Sequence, residues 1–352
     1  MPRSAVTIRD VAALAGVSHQ TVSRVINGYE RVNPDTRQRV QAAIDQLGYQ
    51  PNVIARSMAL GRTYTLACIV PNLVEFTFSS IVVGAQAEAR RSGYFLLAAS
   101  APDARTFASL IEQLFMGRMA EGLFAINPYM DDRHTYLPAN VPVVFLGARP
   151  RGGCFDMVSL DDLSAGAMAT RHLLELGHRR IAHITGPMVE DCAQDRQAGM
   201  LQAMAALKPD LAPAAVVEGD WSASTGYEAV QSWLAQGLDF SAIFAQNDRM
   251  AVGAIRALRD AGRRVPGDVS VIGFDDIPLA SYFDPPLTTM HQDIEYSGAQ
   301  AARLLIRRLE EPGASFEHWQ QSAQLVVRCT TASVEGGEAL KPCDYLRRSS
   351  HA

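Results

Sequence analysis

The sequence contains no apolar run near the ~20 residues that a membrane-crossing helix needs. Its start, MPRSAVTIRD, lacks the apolar stretch of a secretion signal, so a cytoplasmic chain without a membrane partner is expected. The five cysteines (Cys68, Cys154, Cys192, Cys329 and Cys343) are scattered, with no CxxC and no Cys/His pairing. That spacing speaks against a metal site and a disulfide framework, and for a reducing compartment. Nucleophile elbows, HExxH, P-loops and the dinucleotide GxGxxG are missing. His172, His178 and His183 lack the spacing of ligands on one helix face, and the adjacent carboxylates of Asp275 and Asp276 point apart. No metal, cofactor or enzymatic activity is therefore expected. Beyond about Ala332 the tail SVEGGEALKPCDYLRRSSHA has no leucine heptads, so no coiled coil is expected, and 333–352 reads as a disordered tail.

What is present suggests two or three domains in 352 residues, with enough apolar residues, at 48%, for sizeable cores. Charge is unevenly placed. Residues 1–62 hold eight arginines against four acids, a balance of +4 in a chain of −5, so the remainder carries −9. A basic head on an acidic body points to a polyanion that binds the head alone.

The head reads as three capped helices. Thr7 and Asp10 have capping-box spacing, which predicts a helix over 8–15, and Gly16 permits the tight turn after it. Ser18 is an N-cap for a second helix ending near Asn27–Gly28. Asn33–Pro34 opens a third helix, striped with Val40, Ala43, Ile44 and Leu47 and stopped by Gly48. On the second helix Val17, Val22, Val25 and Ile26 form the buried stripe. His19, Gln20, Ser23, Arg24 and Asn27 form an opposite face without an acid. This is a helix-turn-helix, whose second helix enters a DNA major groove. Arg can grip guanine with two hydrogen bonds, and Gln can grip adenine similarly. Ser18, Ser23 and Asn27 suit phosphates.

The body, 63–332, alternates β-branched runs with helical patterns: 65–70, 95–100, 122–127 and 141–147, then 180–186, 214–220, 242–248 and 269–276. Spacings of about 25–35 residues between most of them imply parallel sheets of βα units, in two doubly wound subdomains. Ligands bind beyond the carboxyl ends of such strands. The polar residues there are Asn72, Asn127, Asp220 with Trp221, Asn247 with Asp248, and Asp275 with Asp276, and Arg196 lies about ten residues past the 180–186 strand. An indole face beside paired donors and acceptors suits a sugar. Asp162 and Asp248 read first as helix caps, Asp276 also fits a turn, and Trp221 also fits a core.

The stretch TIRDVAALAGVSHQTVSRVING…VNPDTRQRVQAAIDQLGYQPNVIARSMALG closely resembles the DNA-binding head of the lactose/galactose repressor family. The resemblance continues through LLELGHRRIAHITGP, EGDWSASTGY, NDRMAVGAIRAL, VPGDVSVIGFDDIPLA and PPLTTMHQD. It implies an α/β chain with an all-α helix-turn-helix head (1–50), a hinge helix (51–62) and a periplasmic-binding-protein-like body. The body's first subdomain would comprise 63–163 and 294–321, and its second 164–290 and 324–332, with crossings near 161–164, 290–294 and 321–324. By resemblance His19, Gln20 and Arg24 read bases, while Thr21, Ser23, Asn27, Arg31, Asn33, Thr36 and Asn52 hold the DNA backbone. In the hinge, Ala55 and Met58 would meet the minor groove, Met58 standing where many relatives carry a wedging Leu. So short a helix should be coil until DNA binds. Arg196, Trp221, Asn247, Asp275 and Gln292 would line an effector cleft beside Asn72, with Phe76, Phe78 and Ser79 opposite.

The resemblance thus implies a homodimeric transcription regulator, most simply a repressor of carbohydrate genes. Its partners would be near-palindromic operator DNA and a mono- or disaccharide. Two alternatives stand beside it. One is a nucleobase or nucleoside held between Phe78 and Trp221; the other is a sugar receptor without DNA function. Gly147 replaces the Asp of relatives that bind β-galactosides, and Glu190 the Arg of relatives that bind purines.

Overall fold

The computed structural model describes residues 6–29, 31–50, 62–127, 129–147, 149, 151 and 155–334. The chain divides into two compact units, Met1–Tyr64 and Thr65–Ala352. The hinge readings, with Asn52, Ala55 and Met58, and nearly all of the tail lie outside the described residues.

In the first unit, α1 (Ile8–Ala15), α2 (His19–Ile26) and α3 (Pro34–Leu47) begin and end on the residues whose chemistry sets them. The Thr7 amide and hydroxyl both donate to Asp10 Oδ2, at 2.8 and 2.7 Å. Gly16, at φ +64°, closes α1 in the left-handed region. Ser18 Oγ accepts from the Thr21 amide at 3.1 Å to start α2, and Asn33 Oδ1 accepts from the Asp35 amide at 2.9 Å to start α3. Val11, Ala12, Ala15, Val22, Val25, Val40 and Ala43 form the shared core. Such short helices are marginal alone, so this packing is what holds them.

In the second unit, β1 (Thr65–Val70), β2 (Phe95–Ser100), β3 (Gly122–Ile126), β4 (Val143–Leu146), β5 (Asp156–Leu160) and β11 (His318–Gln321) make one sheet. Its order is β11-β5-β4-β3-β1-β2, all parallel. Helices α4 (Phe76–Arg91) and α10 (Ile294–Glu310) cover one face, and α5 (Ala104–Ile111) covers the other. A second parallel sheet, β7-β6-β8-β9, uses β6 (Ile181–Thr185), β7 (Ala215–Glu218), β8 (Ala242–Ala245) and β9 (Ser270–Ile272). It lies between the pairs α6 (Asp162–Glu175) with α7 (Asp191–Leu207) and α8 (Ala223–Ala235) with α9 (Asp248–Asp260). An antiparallel pair, β10 (Thr289–His291) and β12 (Gln324–Val326), completes the fold. The chain leaves one subdomain for the other at 161, between 291 and 294, and between 321 and 324.

Each of the eight apolar runs contains a strand. The strands β5, β10, β11 and β12 have no apolar run; β11 is HWQQ, and it is held by its ladder to β5. Cys68 and Cys192 are free thiols, while Cys329 is disulfide-bonded, which the scattered spacing did not indicate. Among the described residues no helix is long and apolar enough to cross a membrane.

Candidate functional site

Two regions merit attention. The first is the outer face of α2. Val22 and Val25 are buried, whereas His19, Gln20 and Arg24 are exposed and no acid stands among them. The smaller polar residues serve the helix as well as its surface. Ser18 Oγ lies 2.9 Å from Thr21 Oγ1, and Asn27 Nδ2 donates to Ser23 Oγ at 3.3 Å. Arg31 and Asn33 are exposed, and Thr36 is half-buried. The Arg37 guanidinium, which the sequence shows only as one of the head's eight arginines, donates to the Tyr29 carbonyl at 2.7 Å and ties the loop to α3.

The second region is a cavity of about 130 Å³ between the carboxyl ends of the two sheets. Phe76, Phe78, Arg196, Trp221, Asn247, Asp275 and Gln292 all line it. Backbone strain collects in its lining: Asn127, Trp221 and Asp275 have φ of +47°, +67° and +106°. Such conformations cost about 1–3 kcal/mol each and persist only where the surroundings impose them.

Arg196 is built in from three sides. Its Nε donates to Asp162 Oδ1 at 2.7 Å, its Nη1 donates to the Gln246 carbonyl at 2.7 Å, and its guanidinium lies 3.6 Å from the Phe274 ring centroid. Its own carbonyl presses on Gly166, where an added Cβ would approach within 2.2 Å. Gln246 also bonds the Gly186 amide and His183, whose burial lowers the imidazole to about 4 and keeps it neutral. His172 and His178 likewise bond to threonine, serine and backbone groups.

Asp275 is buried, which raises its carboxyl to about 7, and it accepts from Gln292 Nε2 at 2.7 Å. The Trp221 indole N–H donates to Glu190 Oε1 at 3.0 Å, and Asn127 Nδ2 donates to Glu190 Oε2 at 3.1 Å. Burial also raises the Glu190 carboxyl. Trp221 is half-buried and lines the cavity while packing on the core beneath, so it is not wholly a core residue.

Several expectations need correction. Asn72 and Ser79 do not line the cavity. Asn72 Oδ1 accepts from the amides of Val74 and Glu75, and the Ser79 hydroxyl bonds back to the carbonyls of Glu75 and Phe76. Asp161, not Asp162, caps α6, so Asp162 is free to pair with Arg196. Asn247, not Asp248, caps α9. The buried Asp248 carboxylate instead holds the Ile277 amide and the Thr289 hydroxyl. Asp276 lies in the loop after β9 with φ +56° and bonds His291 and Arg328. Missed altogether were the partnership of Asp162 with Arg196, 34 residues away, and that of Glu75 with Arg249 across the cavity. Neither pair leaves a local pattern.

Comparison with known proteins settles the kinship. Residues 7–52 match the model of bacterial regulatory proteins, lacI family, and residues 170–331 match that of a periplasmic binding protein-like domain. The regulator CelR of Thermobifida fusca is 37% identical over 313 residues, covering 86% of this chain and 92% of that protein. The chain belongs to the lacI family of bacterial regulatory proteins. It is a DNA-binding transcriptional regulator of that family. Among lacI-family relatives, the repressor PurR of Haemophilus influenzae is 34% identical over 334 residues, covering 93% of this chain and 99% of that one. A lac repressor dimer bound to operator and the anti-inducer ONPF superposes with a TM-score of 0.85 at 30% identity, over 94% of this chain and 100% of that one. A CelR–cellobiose complex superposes with a TM-score of 0.71 at 34% identity, over 92% and 99%.

Proposed function

We propose that this protein represses genes of carbohydrate uptake or metabolism and that a mono- or disaccharide in the cavity switches its operator affinity. The observation that carries the reading is the cavity wall, where the Trp221 indole, the Arg196–Asp162 pair and the Asp275–Gln292 pair meet. An apolar ring face and bidentate polar groups match the C–H and O–H faces of a pyranose. A solved complex of a regulator CelR with cellobiose supports the same class.

In this reading residues 1–50 bind DNA, 51–62 form the hinge, and 63–332 bind effector and dimerise in the cytoplasm. His19, Gln20 and Arg24 read base edges in the major groove. Ser18, Thr21, Ser23, Asn27, Arg31, Asn33, Thr36 and Asn52 hold phosphates, and Ala55 and Met58 enter the minor groove. Phe76, Phe78, Arg196, Trp221, Asn247, Asp275 and Gln292 contact the effector. A homodimer presents two heads to a near-palindromic site. The protein is not an enzyme: effector leaves the cleft unchanged.

A thermal-shift screen of sugars and nucleosides, followed by operator mobility shift with each hit, tests the reading. A sugar that raises the melting temperature and alters operator affinity supports it. Stabilisation by nucleobases alone sinks it.

A further inference from the structure

We propose that the cleft selects its effector by charge: it accepts an uncharged polyol and rejects sugar phosphates and sugar acids, with Glu190 as the selecting residue. The inference rests on the reading of the cavity as the effector site.

The argument starts from a charge inventory. Six charged side chains line the cavity: Glu75, Asp162, Glu190, Arg196, Arg249 and Asp275. Both guanidinium groups are already matched. Arg196 pairs with Asp162 at 2.7 Å, and Arg249 pairs with Glu75 from the opposite subdomain. Just beyond the Asn127–Glu190 contact, Arg149 and Arg151 are both paired with Asp191. Glu190 and Asp275 are what remains.

Among the described residues no cation donates a hydrogen bond to either remaining acid; the paired Arg196 guanidinium acts on both only through space. Glu190 accepts from the indole of Trp221 and the amide of Asn127, and the Cys192 thiol lies 3.8 Å from it. Asp275 accepts from the amide of Gln292. All of these donors are neutral. The two acids therefore present lone pairs and negative potential to whatever enters. Sugar hydroxyls can donate to them. A phosphate or carboxylate would face like charge in a low-dielectric enclosure, with no free cation among the described lining residues to offset it.

Glu190 holds the decisive place. It sits at the N-terminus of α7 in one subdomain and is bonded to Asn127 at the end of β3 in the other. A ligand that closes the cleft must meet both. Closing an anion against Glu190 would break the Asn127 and Trp221 bonds or bury a repulsion.

Calorimetry on the full chain at pH 8, where Asp275 is largely a carboxylate, tests this with matched probes. They are glucose and glucose 6-phosphate, ribose and ribose 5-phosphate, cellobiose and cellobionate, and adenosine and its 5′-monophosphate. In whichever pair binds, the neutral member should bind at least ~100-fold tighter than its anionic partner. Glu190→Gln should shrink that ratio by about tenfold or more, with a melting curve showing that the variant is folded. An anionic member that binds as tightly as its neutral partner overturns the proposal, as does an unchanged ratio in Glu190→Gln. Binding of adenosine alone, with its phosphate rejected, would remove the sugar reading and leave charge selection standing.

Discussion

Asp275, which lines the cavity and is proposed to contact the effector, carries a stability cost. Its carboxyl has an ordinary value of 3.8 in the unfolded chain and about 7 in the fold, because burial penalises the charged form. Between those values the native state binds more protons than the unfolded one. Stability therefore falls as pH rises through that window, and the penalty is complete above it. Asp275→Asn removes the charge and keeps an acceptor for Gln292. It should raise stability by roughly 1–2 kcal/mol at pH 8 and by less at pH 5, while abolishing the operator response to effector. Denaturation at the two pH values with a mobility shift checks both halves; an equal gain at both would mean that the charge is not the cause. Arg24 is a simpler case, exposed on the acid-free face of α2. Arg24→Ala should cost about 1–3 kcal/mol and relax preference at one operator position. Binding to a panel of single-base operator variants measures this, and a uniform loss across the panel would make Arg24 a phosphate contact.

Among the elements, the packing of α6 on α7 positions the cleft. Gly166 and Gly199 face the partner helix so closely that an added Cβ would lie 2.2 Å from the Arg196 carbonyl or 2.0 Å from that of Leu163. That contact carries Asp162, at the start of α6, to Arg196 on α7. Gly166→Ala must push the helices apart, since backbone cannot turn aside as a side chain can. It should destabilise the body by about 1–3 kcal/mol and weaken effector binding, with operator binding in the absence of effector measured alongside. Full effector affinity in a folded Gly166→Ala variant would show that helix spacing does not set the clamp. The helices of the head were legible because their caps are local: Thr7 with Asp10, Ser18 with Thr21 and Asn33 with Asp35 lie within three residues of one another.

For the whole molecule, Glu75–Arg249, Asn127–Glu190 and the Asp191 pairs join the two subdomains around the cavity. A ligand that competes for these groups changes the free energy of closure, which is the lever a two-state regulator needs. Coupling between effector and operator must be reciprocal. Whatever factor the effector changes DNA affinity by, operator DNA must change effector affinity by the same factor, with an expected coupling of about 1–3 kcal/mol. Titrating effector into protein with and without operator measures it. A ligand that binds tightly yet leaves operator affinity unchanged would occupy the cleft without being the switch.

The sequence alone determined the head, the eight apolar strands and the residue types at their carboxyl ends, because capping, periodicity and charge balance act over a few residues. Trp221 and Asp275 were visible as polar breaks after strands, and Arg24 by the acid-free face around it. Only the tertiary structure decided which acid meets which base. Asp162 and Asp248 looked like caps because an Asp at the start of a helix ordinarily is one, and the choice between neighbouring residues turned on backbone geometry. Asn72 and Ser79 stand in the right segment but turn their side-chain oxygens to nearby backbone. Arg196 with Asp162, Arg249 with Glu75 and Glu190 with Asn127 and Trp221 are separated by 34 to 174 residues for the two ion pairs and by 63 and 31 for the last two contacts. No local period encodes such distances, since they exist only once two sheets have brought their carboxyl ends to one cavity.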